Sequence, residues 1–311
     1  MYRSPINREF LQTLSQRDNW QSALKLAAHA GLLLLTGWLF TTLTQSLNAR
    51  LLAALPVLLF HGMVYTFLGY AGLGHELKHG TVFSSPWLNK ALYRLVSFLT
   101  WNNPVYFDHS HSHHHKHTLH TGVDFEVNPA PYPLLERWWA FALFDWAAFQ
   151  RATTIVWDNA CNRVKGPFGE ATFPPASAAR QALVRTARYT VAGHALLLAL
   201  FAATGFWQGL FLLTLAPFCC TLPNRMLAKL QHSGLASNHS DYRANSRTLL
   251  LPRFWSWLYW NMNYHIEHHM YPAVPYCKLP ALRAAIEHDL PPGPHTVQAH
   301  LHTLRTPQAT A

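Results

Sequence analysis

Charge is scarce in this sequence: Asp, Glu, Lys and Arg make up only 12% of its 311 residues, where a soluble domain carries about 25%. That shortage points towards lipid. The mean hydropathy of 0.00 is nonetheless low for a membrane protein, so long uncharged stretches must be averaged with a substantial polar part. Acids are the scarcer sign, with 14 Asp plus Glu against 21 His. The stock of ligands is therefore imidazole, which suits Zn, Cu, Fe and Ni, rather than the oxygen donors that Mg and Ca want. The four cysteines, Cys161, Cys219, Cys220 and Cys277, include no C-x-x-C pair, which implies neither a disulfide framework nor a thiolate metal site. There is no flavin or nicotinamide motif and nothing resembling a nucleic-acid-binding motif. The net charge of +10 comes from scattered Lys and Arg, so no nucleic-acid partner is expected. Residues 1–23, with Arg3, Glu9, Arg17 and Asp18, do not read as a cleavable signal peptide.

What the chain does have is long uncharged runs. None of the residues between Lys25 and Arg50 is charged, and the strongly apolar Ala30 to Leu43 predicts a first spanning helix over about 26–46. A second, over 51–74, carries only His61 and runs straight into Gly74-His75-Glu76-Leu77-Lys78-His79. The uncharged stretch from Tyr189 to Asn224 holds a Gly205-Phe206-Trp207-Gln208-Gly209 turn near its middle, which predicts two further spans over 189–205 and 207–228. The expected fold is an all-α integral membrane domain over 1–285, with four transmembrane helices in two hairpins and a polar C-terminal tail over 286–311. Of the 24 Lys and Arg, only Arg50 falls in a far-side loop, so the positive-inside rule puts both termini and the central segment in the cytosol. The aromatic-rich segments Trp87 to Trp101 and Trp138 to Trp157 are interrupted by charge and read as interfacial helices. Trp138, Trp139, Trp255, Trp257 and Trp260 read as interfacial anchors.

Three histidine clusters flank these runs. His75-x-x-x-His79 places two imidazoles one helical turn apart; it also spells H-E-x-x-H, in which Glu76 would be the general base of a zinc protease. Within Asp108 to His117 one register gives H-x-x-H-H, namely His111, His114 and His115. His265, His268 and His269 repeat that spacing, which gathers three imidazoles on one helical face. Each cluster has a plainer reading: a surface or core pair, a solvated metal-buffering loop, or rings stacked on Tyr264 and Tyr271. Their joint appearance beside predicted spans favours a shared metal site. His61 and His194, inside spans, read as buried hydrogen-bonding residues. His109, His113, His117 and His120 fall outside the register as solvent-facing or outer groups, with His109 an alternative ligand.

The motifs GHELKH, HSHHHKHT followed by Asp124, and WNMNYHIEHHMYPAVPYCKLP resemble the three histidine boxes of the membrane fatty acid desaturase and hydroxylase family, over roughly residues 25–285. The resemblance implies a four-span bundle under a cytosolic helical cap that carries the boxes. It also implies oxygen-dependent desaturation or hydroxylation at a non-haem di-iron centre, with two iron ions as cofactor and molecular oxygen as co-substrate. Carried over by position, the ligands would be His75, His79, His111, His114, His115, His265, His268 and His269, with His232 in Leu230-Gln231-His232-Ser233-Gly234 as a ninth. Where some members have an Asn one turn before this His, the chain has Ala228, with Asn261 a candidate substitute. Glu76, Asp124 and Glu267 are candidates to accept from ligand rings and fix their orientation; ordinary salt-bridged acids are the alternative for Glu76 and Glu267.

Taking hydrogen from an unactivated methylene needs a redox-active metal, which closed-shell zinc is not and paired irons are. The first reading is therefore a desaturase of a fatty acyl chain, with a hydroxylase of a lipid or small metabolite as the alternative. A zinc metalloprotease, resting on H-E-x-x-H alone, leaves seven of the assigned histidines unused. A metal transporter would place its ligands at mid-membrane, whereas these flank the spans. Electrons would come from a ferredoxin or small cytochrome with its reductase, docking around Arg243, Arg247 and Arg253, unless those arginines meet lipid headgroups.

Overall fold

The structure, a computed structural model, describes residues 1–45, 51–127 and 134–304. Among these residues there is no strand, only isolated bridges between Tyr2 and Asp241 and between Phe144 and Cys219. Helices α1 (Arg8–Leu14), α2 (Asn19–Thr44) and α3 (Leu51–Thr66) lead into α4 (Leu73–His79), α5 (Pro86–Leu99) and α6 (Pro104–His117). The central part holds α7 (Trp138–Ala142), α8 (Trp146–Ala160), α9 (Pro167–Thr172) and α10 (Ala178–Thr204). After α11 (Leu222–Leu230) come the short helices α12 (Tyr242–Asn245), α13 (Arg253–Leu258), α14 (His265–Met270), α15 (Leu279–Ile286) and α16 (Val297–His300).

Among the described residues two helices, α2 and α10, are long and apolar enough to cross a membrane. Asp18 caps α2 by accepting from the Gln21 amide, and Ser177 caps α10 by accepting from that of Arg180. Helix α10 stops at Gly205, whose φ of +68° favours glycine. Leu34, Leu35 and Trp38 on α2 and Leu196 and Leu200 on α10 are exposed, an apolar surface suited to lipid contact.

The other two expected spans are interrupted. The described part of helix α3 has 16 residues, about 24 Å at the usual rise. It ends at Thr66, and the chain turns through 67–72 before α4. The turn is tight at Gly72, where a Cβ would lie 2.2 Å from the Phe67 carbonyl oxygen. The segment expected as a span over 207–228 is a π-turn at Leu210–Thr214, a 3-10 turn at Ala216–Phe218 and then α11. Pro217 and Pro223 lack the amide hydrogens that a continuous helix needs there. The first hairpin's link, with Arg50, lies outside the described residues.

Helix α3 meets the broken segment closely at Gly62, where a Cβ would fall 2.4 Å from Cys219 Cβ and 2.6 Å from its carbonyl oxygen. Gly62→Val is therefore expected to lower the thermal midpoint in detergent, at a cost of about 1–3 kcal/mol of overpacking. Gly31→Ala, with nothing within 4 Å of the added Cβ, should leave it unchanged or raised.

Of the expected interfacial segments, the first is α5 and the second breaks into α7 and α8. The break centres on buried Asp145, which accepts from the Ala148 amide and the Thr221 hydroxyl and pairs with Arg225. Trp87, Trp138, Trp139, Trp146 and Trp157 are exposed. Trp260 is not an anchor: it is fully buried, and its indole N–H donates to His29 Nδ1 at 3.3 Å. His61 lies between the Thr36 hydroxyl and the Leu212 carbonyl, and His194 donates to the Phe98 carbonyl.

The cap covers the inner ends of α3 and α11, where Val64, Phe67, Leu227 and Leu230 pack with Leu249, Leu258 and Met262. A second core around α14 and α15 joins Ile266 and Met270 to Leu279, Leu282 and Ile286. Within the segment expected as a polar tail, Val297, Leu301 and buried Leu304 join the first core.

Candidate metal centre

Each histidine is presented by a local feature of the chain. In α4, His75 and His79 share a face one turn apart, and Gly80, at φ +68°, ends the helix just beyond them. Helix α6 starts at Asn103, whose side chain accepts from the Val105 and Tyr106 amides, with Pro104 in its first turn. Phe107 then stacks on Tyr70 at 3.7 Å and on His111 at 4.7 Å between centroids, which sets the inward face of the helix. All of α14 is buried. His232 sits in the turn after α11, where Arg247 donates to the Leu230 and Ser233 carbonyls.

These elements bring the nine histidines into two groups, His75, His79, His111, His115 and His268 in one and His114, His232, His265 and His269 in the other. Within each group the ligand atoms lie within 4.8 Å of one another. In the first, Nε2 atoms approach at 2.8 Å between His75 and His268 and at 3.0 Å between His79 and His111. His115 links the two pairs, 3.0 Å from His111 and 3.2 Å from His268. In the second, His265 Nε2 lies 2.9 Å from that of His232 and 3.0 Å from that of His269.

Tautomers decide what these approaches are. A carbonyl only accepts, so His75 Nδ1, 3.1 Å from the Tyr70 carbonyl, and His232 Nδ1, 2.8 Å from that of Asn245, must donate. Their Nε2 atoms then carry lone pairs. His269 Nδ1 faces Thr118 Oγ1, whose own proton goes to the His114 carbonyl, so this ring donates too. His114 Nδ1 donates to Asp124 at 2.8 Å. Burial pushes His75 and His232 down to about 3, the second helped by neighbouring His114, so both rings are neutral at neutral pH. Facing these rings, His115, His265 and His268 have no partner on Nδ1 among the described residues, so a bound cation would be met by Nε2 lone pairs from both rings of each pair. Two nitrogens bound at right angles to one ion, each about 2.1 Å away, stand about 3.0 Å apart, and at the tetrahedral angle about 3.4 Å. The observed 2.8–3.2 Å fits the right-angled case, so these residues fit a pair of metal ions.

The three acids singled out from the sequence separate. Asp124 touches a ligand ring, His114, and also accepts from the Leu119 amide. Burial opposes the charge on Asp124, but the His114 contact outweighs it and holds the carboxyl below its usual range. Glu76 and Glu267 touch no ligand ring among the contacts described. Glu76 accepts from the Thr81 hydroxyl and the Tyr276 amide, and Glu267 from Thr248 and Arg283. They anchor α4 and α14 from behind.

The acid missed from sequence is Glu126, whose Oε1 lies 2.8 Å from His111 Nδ1. The signal was present, since Asp124 and Glu126 are two apart in a non-helical segment, where alternate side chains share a side. Each group thus has one carboxylate-backed ring. Glu126→Gln is expected to keep the metal while turnover falls about 10- to 100-fold, measured as kcat alongside metal content.

Asn261 is turned away, donating to the Tyr276 carbonyl at 2.9 Å, and does not replace the missing Asn. Ala228 lines a cavity of about 760 Å³ that also touches His75, His111, His114, His232 and His265. Its lining includes aromatic and aliphatic Tyr106, Phe107 and Ile155 and basic Arg151, Lys165 and Lys229, together with Asp158. His109, the alternative ligand, is in neither group. Nor do the three arginines form a docking face: Arg243 pairs with Asp241 and Asp289 and Arg247 is buried on carbonyls, which leaves Arg253 exposed.

The family model described as fatty acid desaturase matches residues 49–300. Among curated proteins no match is found.

Proposed function

The chain belongs to the fatty acid desaturase family, and from that premise we propose that it is an oxygen-dependent oxidoreductase that desaturates the aliphatic part of an acyl substrate. The observation that carries this reading is the convergence of nine imidazoles into groups of five and four with no acid or cysteine among them. His75, His79, His111, His115 and His268 would hold one iron and His114, His232, His265 and His269 the other. Five nitrogens exceed the four-coordinate sphere of structural zinc. When bound, the iron pair supplies the one-electron chemistry with oxygen that closed-shell zinc lacks.

The chain's own part is to hold and orient. The Tyr70 and Asn245 carbonyls, Asp124 and Glu126 keep protons on Nδ1 and turn Nε2 inward. The cavity would lay an apolar chain along Phe107 and Ile155, with a polar head near Arg151. Burial of the rings keeps bulk water from their open side. H-E-x-x-H proteolysis is disfavoured, because Glu76 is fully buried and committed to Thr81 and Tyr276. The placement of Lys and Arg outside the apolar runs, with only Arg50 in a far-side loop, supports a cytosolic address for the site and both termini. Electrons would come from an external ferredoxin or small cytochrome.

Expression in a host lacking the activity, with profiling of lipids and metabolites, tests the reading. A product lighter by two hydrogens supports desaturation. A product heavier by one oxygen replaces it with hydroxylation, and no oxidised product contradicts both.

A further inference from the structure

Helix α6 carries histidine on two faces. Successive residues turn by about 100°, so while His111, His114 and His115 face the metal groups, His109, His113 and His117 follow at i, i+4 and i+8 along the opposite face. None of these three belongs to either inner group. The rings of His113 and His117 stand 4.6 Å apart between centroids, inclined at 40°. Just past the helix end, His120 brings its ring to 6.0 Å from that of His117. His120 Nδ1 donates to the Thr118 carbonyl at 3.2 Å, and His120 does not join the other two rings within ligand reach. His113 is half-buried beside Phe168, 5.7 Å away, and so is restrained in its rotamers. His109 instead meets Phe173 edge-on.

We propose that His113 and His117 form a peripheral and exchangeable site for a borderline divalent transition-metal ion, on the outer face of the helix that carries the inner ligands. Two imidazoles one helical turn apart are the same chelating unit as His75 and His79. With two imidazole nitrogens and no carboxylate, the site favours zinc, nickel or copper over magnesium or calcium. By the ordinary order of affinities it also takes them ahead of ferrous iron. Unlike the inner groups it faces solvent, so water fills the remaining positions and the ion exchanges. The inference holds whichever ion occupies the inner groups.

The test dialyses metal-loaded protein in detergent against zinc chloride and counts all bound metals by elemental analysis. Native protein is expected to hold one more zinc ion per chain than the His113→Gln/His117→Gln variant. It should lose that ion to a mild chelator while its resident metals stay. Equal zinc uptake by the two proteins, or none by either, overturns the site. So does zinc gained only in step with loss of resident metal. A second measurement uses native protein alone, so that it does not depend on the variant's folding. Zinc should protect His113 and His117 from acylation by diethyl pyrocarbonate, read by peptide mass spectrometry, and unprotected rings overturn the proposal.

Discussion

Replacing His232 with alanine is expected to abolish turnover as completely as replacing His268, with loss of metal from the four-histidine group. His232 is one of four nitrogens in that group, with its Nε2 2.9 Å from that of His265 and its orientation fixed by the Asn245 carbonyl. Removing it leaves three donors where the partner group has five, on the side where Ala228 supplies none. The effect should therefore exceed the roughly 10- to 100-fold loss typical of an outer partner. His109→Ala is the control, expected to leave both metal content and turnover unchanged. Metal content measured with turnover on the purified variants decides; an active His232→Ala protein removes this residue from the site.

Arg283→Met is expected to destabilise the cap by about 3–5 kcal/mol without touching a ligand. Glu267 is fully buried, and its partners are Thr248 and Arg283, whose Nη1 lies 2.8 Å away. Removing the arginine strands a carboxylate in the middle of α14, between His265 and His268, and breaking a buried pair from one side costs about that much. The double variant Glu267→Gln/Arg283→Met should recover most of the loss, because no uncompensated charge is left buried. Thermal unfolding in detergent compares the three proteins. A native midpoint in the single variant contradicts this account of Glu267.

The gathering of the histidines was legible because it depends on helical periodicity alone: i, i+3, i+4 puts His111, His114 and His115 on one face wherever α6 lies. His232 has no such partner in its segment, and only the resemblance to the family's boxes pointed to it. The roles of the acids were harder to read, since contact with a ring depends on tertiary path. Glu76 and Glu267 are adjacent to ligands in sequence, yet neighbouring residues on a helix point about 100° apart, so both face away from the centre. Glu126 reaches His111 because the chain doubles back after α6. Hydropathy found α2 and α10 but overrode Pro217 and Pro223, whose missing amide hydrogens break the last apolar stretch. Charge alone likewise suggested a docking face at Arg243 and Arg247, where the folded chain uses both guanidinium groups internally.

Two groups of imidazoles that bind two redox-active ions must show in the metal content of the chain. Metal analysis of the purified chain, set beside its His268→Ala variant, tests this most directly. About two irons per chain, falling in the variant, is the predicted result. A single zinc, or an iron content indifferent to His268, would contradict it.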